Sequence, residues 1–352
     1  MSQMTLSSFL EDENTQIRVF DMGRRVSKIA LSDFKKFEQS ACAYPYPFQQ
    51  TAWVGLLFWN SKDKSQHNIW FLRMPLDERG FINLASRDEF MDMVLSRIGE
   101  RITAQQTGNE SLTHALKDNP YVFKPTEENM AVFHAKAKMI LSEPPSSFYD
   151  DTVAYFSGKD FENWQHLGIQ GFADFAVRQS EKDINQMLCS TLKKIPEEPF
   201  SAICNALENE ACSVEFYKQL AYMADSSLES DEPEVVNKLV SLIRPLANAP
   251  KKTQIKILTS ILNSPFGTEP GILVMIVAKA WEALEDPALL SLYIEKLANN
   301  SNGQVLFNAL MTDQMFMPGK RDLILQVFRD PERSEAVSTA VGGFFQVVSA
   351  NQ

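Results

Sequence analysis

The stretch from His67 to Arg87 reads HNIWFLRMPLDERGFINLASR and contains a strand, a turn and a helix start in succession. Apolar side chains fill residues 69–74 almost without interruption, which predicts a central strand with both faces covered. Pro75 has no N–H group to donate to a neighbouring strand, so we expect strand pairing to end there. Residues 76–80 have the composition of a turn, and Asn83 or Ser86 is expected to cap the helix that follows.

Two hairpins are predicted upstream of this helix. Residues 51–59, TAWVGLLFW, form a second apolar strand, which the polar turn 60–64 joins to the central strand. Residues 17–21 and 24–29 form the other hairpin, in which Gly23 is expected to supply a positive φ. Three of the five tryptophans lie on the 51–74 hairpin: Trp53, Trp59 and Trp70. They can form a ligand-stacking platform or an aromatic core, and the second is favoured because aromatic residues dominate cores.

Beyond Thr126 the strand signals stop and apolar residues recur at helical spacing. Helix starts, many marked by proline, follow one another every 13 to 20 residues. Two helices per unit give the period of a HEAT-like array. The apolar run 271–281 predicts a fully buried helix. We therefore predict an α+β protein, in which an N-terminal antiparallel sheet with flanking helices is followed by an all-α, HEAT-like helical-repeat array.

The expected domains are residues 1–109 and 110–352. A possible sub-boundary lies near 226–232, where an acidic, polar segment interrupts the helical periodicity.

Composition indicates a globular chain without a membrane segment. With 352 residues and 44% hydrophobic content, the chain can bury a sizeable core. The most hydrophobic run, 270–278, falls short of the ~20 residues that a spanning helix needs. The N-terminus lacks the basic region of a signal peptide. Four cysteines without a CxxC pair are typical of free thiols in a reducing compartment. We expect a soluble cytoplasmic protein.

Charge is unevenly distributed. Residues 1–101 contain 13 basic and 13 acidic side chains, so the whole net charge of −11 lies in residues 102–352. An acidic surface repels phosphate backbones, which excludes non-specific nucleic-acid binding by that part. We expect a local basic site only in the front half, and no nucleic-acid or membrane partner.

The motifs of common enzymes and metal sites are absent from the sequence: Walker loop, GxGxxG, HExxH, GxSxG and EF-hand loop. A metal site would need His134, His166 and Asp174 to converge in the fold. Cys42 or Cys189 as a nucleophile lacks a positioned base. We expect neither a metal nor a cofactor.

One polar constellation is a candidate ligand site, and it consists of Asp21, Arg24, Arg25, Arg73, Asp77, Glu78 and Arg79. Arginine forks at one sheet edge could bind a carboxylate or phosphate, with Asp77 or Glu78 as a base or metal ligand. This is the basis of the alternative function, a small-ligand-binding or hydrolytic domain. The same residues could instead pair with one another across neighbouring strand ends.

Five short motifs carry a family resemblance: VFDMGRRV (19–26), YPYP (44–47), WFLRMPLDERG (70–80), FHA (133–135) and LGIQGFAD (167–174). Together they resemble a proteobacterial family, the domain-of-unknown-function family 3549. The resemblance covers nearly the whole chain and implies a cytoplasmic bacterial protein, but it implies no activity. Our leading hypothesis is a non-enzymatic interaction or scaffold protein that presents its helical surface to a protein partner. The oligomeric state is left open.

Overall fold

A computed structural model describes residues 4–103, 116, 118–158, 161–230 and 234–350. The chain divides into two compact units: unit 1 is Met1–Asn129 with Phe316–Pro318, and unit 2 is Met130–Met315 with Gly319–Gln352. The domain boundary predicted at 109/110 lies outside the described residues.

Unit 1 contains an antiparallel four-stranded sheet with the strand order β2-β1-β3-β4. Its elements are α1 (Leu6–Leu10), β1 (Thr15–Asp21), β2 (Ser27–Ile29), α2 (Leu31–Glu38), β3 (Thr51–Asn60), β4 (Asp63–Pro75) and α3 (Leu84–Thr103). The N-terminal antiparallel sheet with flanking helices is therefore confirmed. Asn83 is the helix cap, because its Oδ1 accepts a hydrogen bond from Ser86 N at 3.1 Å.

The prediction that the 69–74 strand is central is wrong, because β4 lies at the edge of the four-stranded sheet. Pairing ends at Pro75 as predicted, but the strand is buried only on alternate residues, Trp70, Leu72 and Met74. The segment after α3 covers part of the open edge: Arg73 N donates to Tyr121 O at 2.8 Å and Phe123 N donates to Phe71 O at 3.2 Å. This cover explains why an edge strand carries so apolar a sequence.

The core of unit 1 forms on one face of the sheet. Val19, Leu56 and Trp70 are in register on three adjacent strands, and all three are buried. The Trp70 ring meets the Phe58 ring edge-on at 5.3 Å. Trp59 is also buried and Trp53 half-buried, so the tryptophans of this hairpin pack against the protein and do not form an open platform.

The β1–β2 hairpin is confirmed, but the positive φ expected at Gly23 is not observed. Glycine is needed there for close packing, since a Cβ atom would lie 2.9 Å from Trp53 Cδ1 and 3.2 Å from Phe48 Cβ. A side chain at this position would force the turn away from β3.

Unit 2 is an array of helices. Its elements, the first of which begins within unit 1, are α4 (Glu127–Leu141), α5 (Tyr149–Phe156), α6 (Ile169–Ala176), α7 (Lys182–Thr191), α8 (Glu197–Leu207), α9 (Val214–Leu228), α10 (Val235–Ile243), α11 (Lys251–Asn263), α12 (Pro270–Lys279), α13 (Pro287–Ala298), α14 (Gly303–Phe316), α15 (Lys320–Phe328) and α16 (Glu335–Ala350), with 3₁₀ turns at Arg244–Asn248 and Trp281–Glu285. As predicted, the described part of the chain after Thr126 contains no strand. The apolar helix α12 is not fully buried, because 39% of Val274 is exposed.

The helices pack in two series. In one series α5, α7, α9, α11 and α13 each contact the next, and in the other α6, α8, α10 and α12 do so. Contact between every second helix is typical of stacked helix pairs, and the assignment to a HEAT-like class remains a prediction. Within the described ranges, no helix has the length and apolar character needed to cross a membrane.

A buried carboxylate links consecutive members of the second series. Glu208, the residue that follows α8 as its C-cap, is 1% exposed, and its two oxygens lie 2.6 Å from Arg244 Nη1 and 2.6 Å from Lys279 Nζ. The two cations belong to the 3₁₀ turn after α10 and to the end of α12. One carboxylate therefore holds three successive parts of the array together.

Candidate functional site

Asp21, the first residue of the predicted cluster, is buried at the end of β1. Its carboxylate accepts hydrogen bonds from Gly23 N at 3.3 Å, Arg24 N at 3.1 Å and Arg25 N at 3.2 Å, while the Tyr44 hydroxyl lies 2.9 Å away. These donors close the hairpin turn around the carboxylate. Asp21 therefore organises the backbone of its own turn.

The environment of Asp21 shifts its protonation equilibrium. Burial raises the pKa of Asp21 to about 6, against the opposing effect of the hydrogen bonds from Arg25 N and Tyr44. The Tyr44 hydroxyl also lies 3.0 Å from Trp53 O. Because a hydroxyl has one proton, Tyr44 donates to Asp21 when that carboxylate is ionised. When Asp21 is protonated, it can donate to Tyr44, which can then donate to Trp53 O.

The two neighbouring arginines are buried as well. Arg24 is 3% exposed, its Nε donates to Pro47 O at 2.8 Å, and its guanidinium lies 5.7 Å from the centre of the Phe48 ring. Arg25 is 5% exposed. Neither guanidinium is presented to solvent as an open anion fork.

The remaining four residues lie on β4, in the case of Arg73, and in the turn after it, in the case of Asp77, Glu78 and Arg79. Arg73 Nε donates to Pro120 O at 3.0 Å and so helps to hold the segment that covers β4. Asp77 accepts hydrogen bonds from Arg79 N at 2.9 Å and Phe81 N at 2.8 Å.

Charge and exposure at the Asp77 turn follow from these bonds. Burial alone raises the pKa of Asp77, but the Phe81 and Arg79 N–H donors and the Arg79 guanidinium hold the pKa below its usual value. The Arg79 guanidinium, 3.5 Å from Asp77, lies 5.0 Å from the centre of the Phe81 ring and is largely exposed. Glu78 is exposed, and it makes no hydrogen bond or ion pair with the described part of the chain.

The structure thus places the seven residues in two segments, the turn that follows β1 and the end of β4 with the turn after it, where Glu78 is exposed. Asp21, Arg24 and Arg25 form a buried turn, Arg73 contacts the segment beside β4, and Asp77 with Arg79 forms an exposed turn. Most of the contacts given above are hydrogen bonds with backbone groups, which is the pattern of residues that shape turns, and the Tyr44 hydroxyl and the Phe48 ring add side-chain contacts to Asp21 and Arg24.

Other candidates from the sequence have structural partners. Asp174 is buried, accepts a hydrogen bond from Ser146 N at 3.0 Å and pairs with Arg178 at 3.4 Å. Among the described residues, no cluster of three or more histidine, cysteine or acidic side chains could hold a metal ion. Cys42 and Cys189 are half-buried free thiols, and burial raises the pKa of Cys189, which disfavours the reactive thiolate.

Sequence reasoning missed a groove between α9 and α11. Its cavity has a volume of about 320 Å³. The α9 wall consists of Val214, Tyr217, Lys218 and Ala221, which recur at three and four and so share one helix face. The opposite wall consists of Pro250, Lys252, Thr253, Lys256 and Ile257. Val214 is 60% exposed, which leaves apolar surface open to solvent at the entrance.

Three lysines give this groove a positive rim, although it lies in the acidic part of the chain. Lys218, Lys252 and Lys256 are exposed, and none of them forms an ion pair with any residue that the structure describes. The adjacent Lys251 differs, because its Nζ lies 3.1 Å from a Glu285 carboxylate oxygen. The expectation that a local basic site could lie only in the front half is therefore wrong.

The acidic residues of α9 form no ion pair with the lysines of this rim. Glu215 lies three residues from Lys218 on α9, but it forms no ion pair with the described residues. Asp225 follows Lys218 by two helical turns, about 10 Å along the axis. The spacing of Lys252 and Lys256 on α11 can be read from the sequence. The contact of α11 with α9 cannot, because it arises from the packing of alternate helices.

Two other cavities have a different character. One of about 460 Å³ in unit 2 is lined by Lys193, Lys238, Glu197 and Glu234 besides apolar and hydroxyl side chains, so its charges balance. One of about 500 Å³ in unit 1 lies beside the β3–β4 turn and includes both Lys62 and Asp63. The α9–α11 groove differs from both because its charged lining is entirely basic.

Comparison with known proteins places the chain in a family. The family described as "Protein of unknown function (DUF3549)" matches residues 2–345. Neither the curated proteins nor the solved structures include a match to the chain. Because the family match spans nearly the whole sequence, the chain belongs to the DUF3549 family of proteins of unknown function.

Proposed function

We propose that this protein is a non-enzymatic, cytoplasmic interaction protein that uses its helical array as a binding surface for a protein partner. The observation that carries the proposal is the α9–α11 groove, where apolar surface lies beside three lysines that form no ion pair within the described part of the chain. A globular protein gains nothing in its own fold from such a combination, whereas a partner can bury the apolar surface and pair the charges.

The geometry of the array supports the same proposal. Stacked helix pairs produce an extended surface on which exposed side chains of successive helices line up. Large apolar residues are exposed on it, among them Tyr222 at 62% and Val305 at 80%. Tyr222 lies on α9, the helix that also forms one wall of the groove.

Site-specific photo-cross-linking in cells tests this proposal. A benzophenone amino acid would replace Tyr222 or Val305 in the array, and Leu84, which is 46% exposed in unit 1, as the matched control. We expect one recurrent protein adduct from an array position, of higher yield than any adduct from Leu84. Equal yields from all three positions, or adducts only from Leu84, would contradict a binding role of the array.

A further inference from the structure

We propose that the α9–α11 groove binds an acidic peptide segment that carries a large apolar side chain. This inference rests on the proposed function and adds the chemistry of the partner. The apolar side chain would enter the cavity between the two helices, and carboxylates on either side of it would pair with the lysines of the rim.

The size and lining of the groove favour an apolar anchor. A volume of about 320 Å³ is enough for a leucine or phenylalanine side chain, and the walls offer Val214, Ala221, Pro250 and Ile257 as contacts. Full burial of one such side chain is the usual role of an anchor residue in an interface.

Charge complementarity indicates that the residues of the partner on either side of the apolar anchor are acidic. Lys218 lies on one wall, and Lys252 and Lys256 lie one helical turn apart on the other, so a bound segment has cations on both sides. The rest of residues 102–352 is acidic overall and repels an acidic partner elsewhere. The same groove repels a basic peptide, so the charges select the partner and its position.

An apolar cavity between the lysines distinguishes a peptide from a nucleic acid. A phosphate backbone needs a basic track but leaves an apolar cavity unfilled, whereas a peptide uses both features. The observations therefore favour an acidic, apolar peptide, and a nucleic acid becomes an outcome of the test.

The test begins with a random peptide library displayed on phage and selected on the full-length protein. We expect the enriched peptides to be acidic and to contain leucine, phenylalanine or tryptophan. A fluorescein-labelled copy of the most enriched peptide is then titrated with the protein while anisotropy is measured. The groove variant K218E/K252E/K256E is expected to weaken binding at least tenfold, and A221W, which fills the cavity without changing charge, is expected to weaken it comparably.

A second triple variant, K28E/K62E/K64E, serves as the charge control. These lysines are exposed in unit 1, and they form no ion pair with the described residues. Because both variants replace three lysines by glutamates, the change in net charge is the same. Binding to the charge control is expected to stay within about twofold of wild type. Thermal melts of all variants establish that they are folded.

Three results would overturn the inference: enrichment of neutral or basic peptides or of none, equal binding by the groove variant, or tighter binding of a labelled single-stranded oligonucleotide at the same lysines. A photo-cross-linked partner at Val305 or Tyr222 together with any of these results would retain the array as a binding surface and reject only this groove chemistry. Absence of array adducts in cells, together with groove-dependent binding of an acidic peptide, would retain the groove chemistry and reject the proposed protein partner in cells.

Discussion

Asp21 in unit 1 and Glu208 in unit 2 are both carboxylates with at most 1% of their surface exposed, but they are held in different ways. Three donors to Asp21 are backbone N–H groups within four residues of it. Glu208 instead pairs with Arg244 and Lys279, which are 36 and 71 residues away. The first arrangement shapes one turn of a hairpin, and the second fixes the spacing of helices along an array.

This difference shows how one type of group serves two kinds of architecture. A sheet needs its strands joined by defined turns, and a buried carboxylate that accepts several N–H bonds defines such a turn. Helix pairs that stack along a line need contacts between non-adjacent helices, and an ion pair between distant residues supplies them. Both arrangements place a carboxyl group in the interior, where its oxygens must be hydrogen-bonded or ion-paired.

Replacement of Glu208 by alanine is expected to have the largest effect. Arg244 and Lys279 would both lose the Glu208 carboxylate in a site where only 24% and 16% of their side chains are exposed. Removal of one member of a buried ion pair costs about 3–5 kcal/mol, so we expect a loss of that order in the free energy of unfolding. Urea denaturation followed by circular dichroism measures it.

The matched control is Lys251→Ala, which breaks the pair with Glu285 at half-exposed positions. Exposed pairs contribute about 0–1 kcal/mol, and we expect no larger loss here. A loss below about 1 kcal/mol for Glu208→Ala would mean that this carboxylate does not tie the helices together.

Asp21→Asn is expected to have a smaller effect on unit 1. In either orientation of the new amide its NH₂ group would face a backbone N–H donor, that of Gly23 or those of Arg24 and Arg25, so donors would meet donors in a buried site. An unsatisfied buried donor costs about 1–3 kcal/mol. Thermal and urea unfolding of the full chain measure the loss.

Asp77→Asn is the control for this change, because Asp77 also accepts two backbone N–H bonds but 32% of its side chain is exposed. Water can satisfy the displaced groups there, and we expect a loss below about 1 kcal/mol. Equal losses at the two positions would remove the distinction between a buried and an exposed turn.

The smallest expected effect is a pH dependence that comes from Asp21. Because burial raises its pKa in the folded protein to about 6, the folded state binds a proton more tightly than the unfolded state. Stability from this group is present at low pH and is lost as pH rises through about 6. The difference in unfolding free energy between wild type and Asp21→Asn should therefore fall by roughly 1–2 kcal/mol between pH 4.5 and 6. A difference that is constant or rises over this range would contradict the raised pKa.

The same comparison explains what could be predicted from sequence. The VFDMGRRV segment indicated a turn with a carboxylate and two arginines, because all the relevant atoms lie within a few residues. Helix starts were visible for the same reason: Asp286 accepts a hydrogen bond from Leu289 N, three residues on, and Pro287 begins the helix. Turns and helix caps can therefore be predicted, because the groups that form them are close together in the sequence.

Features that depend on distant contacts were not predictable. Residues 69–74 have the composition of a central strand, but a segment some 50 residues later covers an edge strand and accounts for their apolar character. Glu208 lies beside Arg244 and Lys279, and Lys218 lies across the groove from Lys252 and Lys256, only because of the order in which the helices pack. Without that order, isolated lysines in an acidic chain resemble any other surface lysines.

The most direct test of the account compares two sites as determinants of binding. Wild type, the groove variant K218E/K252E/K256E and the cluster variant R73A/D77A/R79A would each serve as bait for quantitative pull-down with mass spectrometry, alongside thermal melts and the charge control. The account predicts that the groove variant captures at least tenfold less of the principal partner than wild type while its melting temperature is unchanged. The cluster variant is expected to capture as much of the partner as wild type. Loss of the partner from the cluster variant and its retention by the groove variant, with both proteins folded, would contradict the account and favour the ligand site in unit 1.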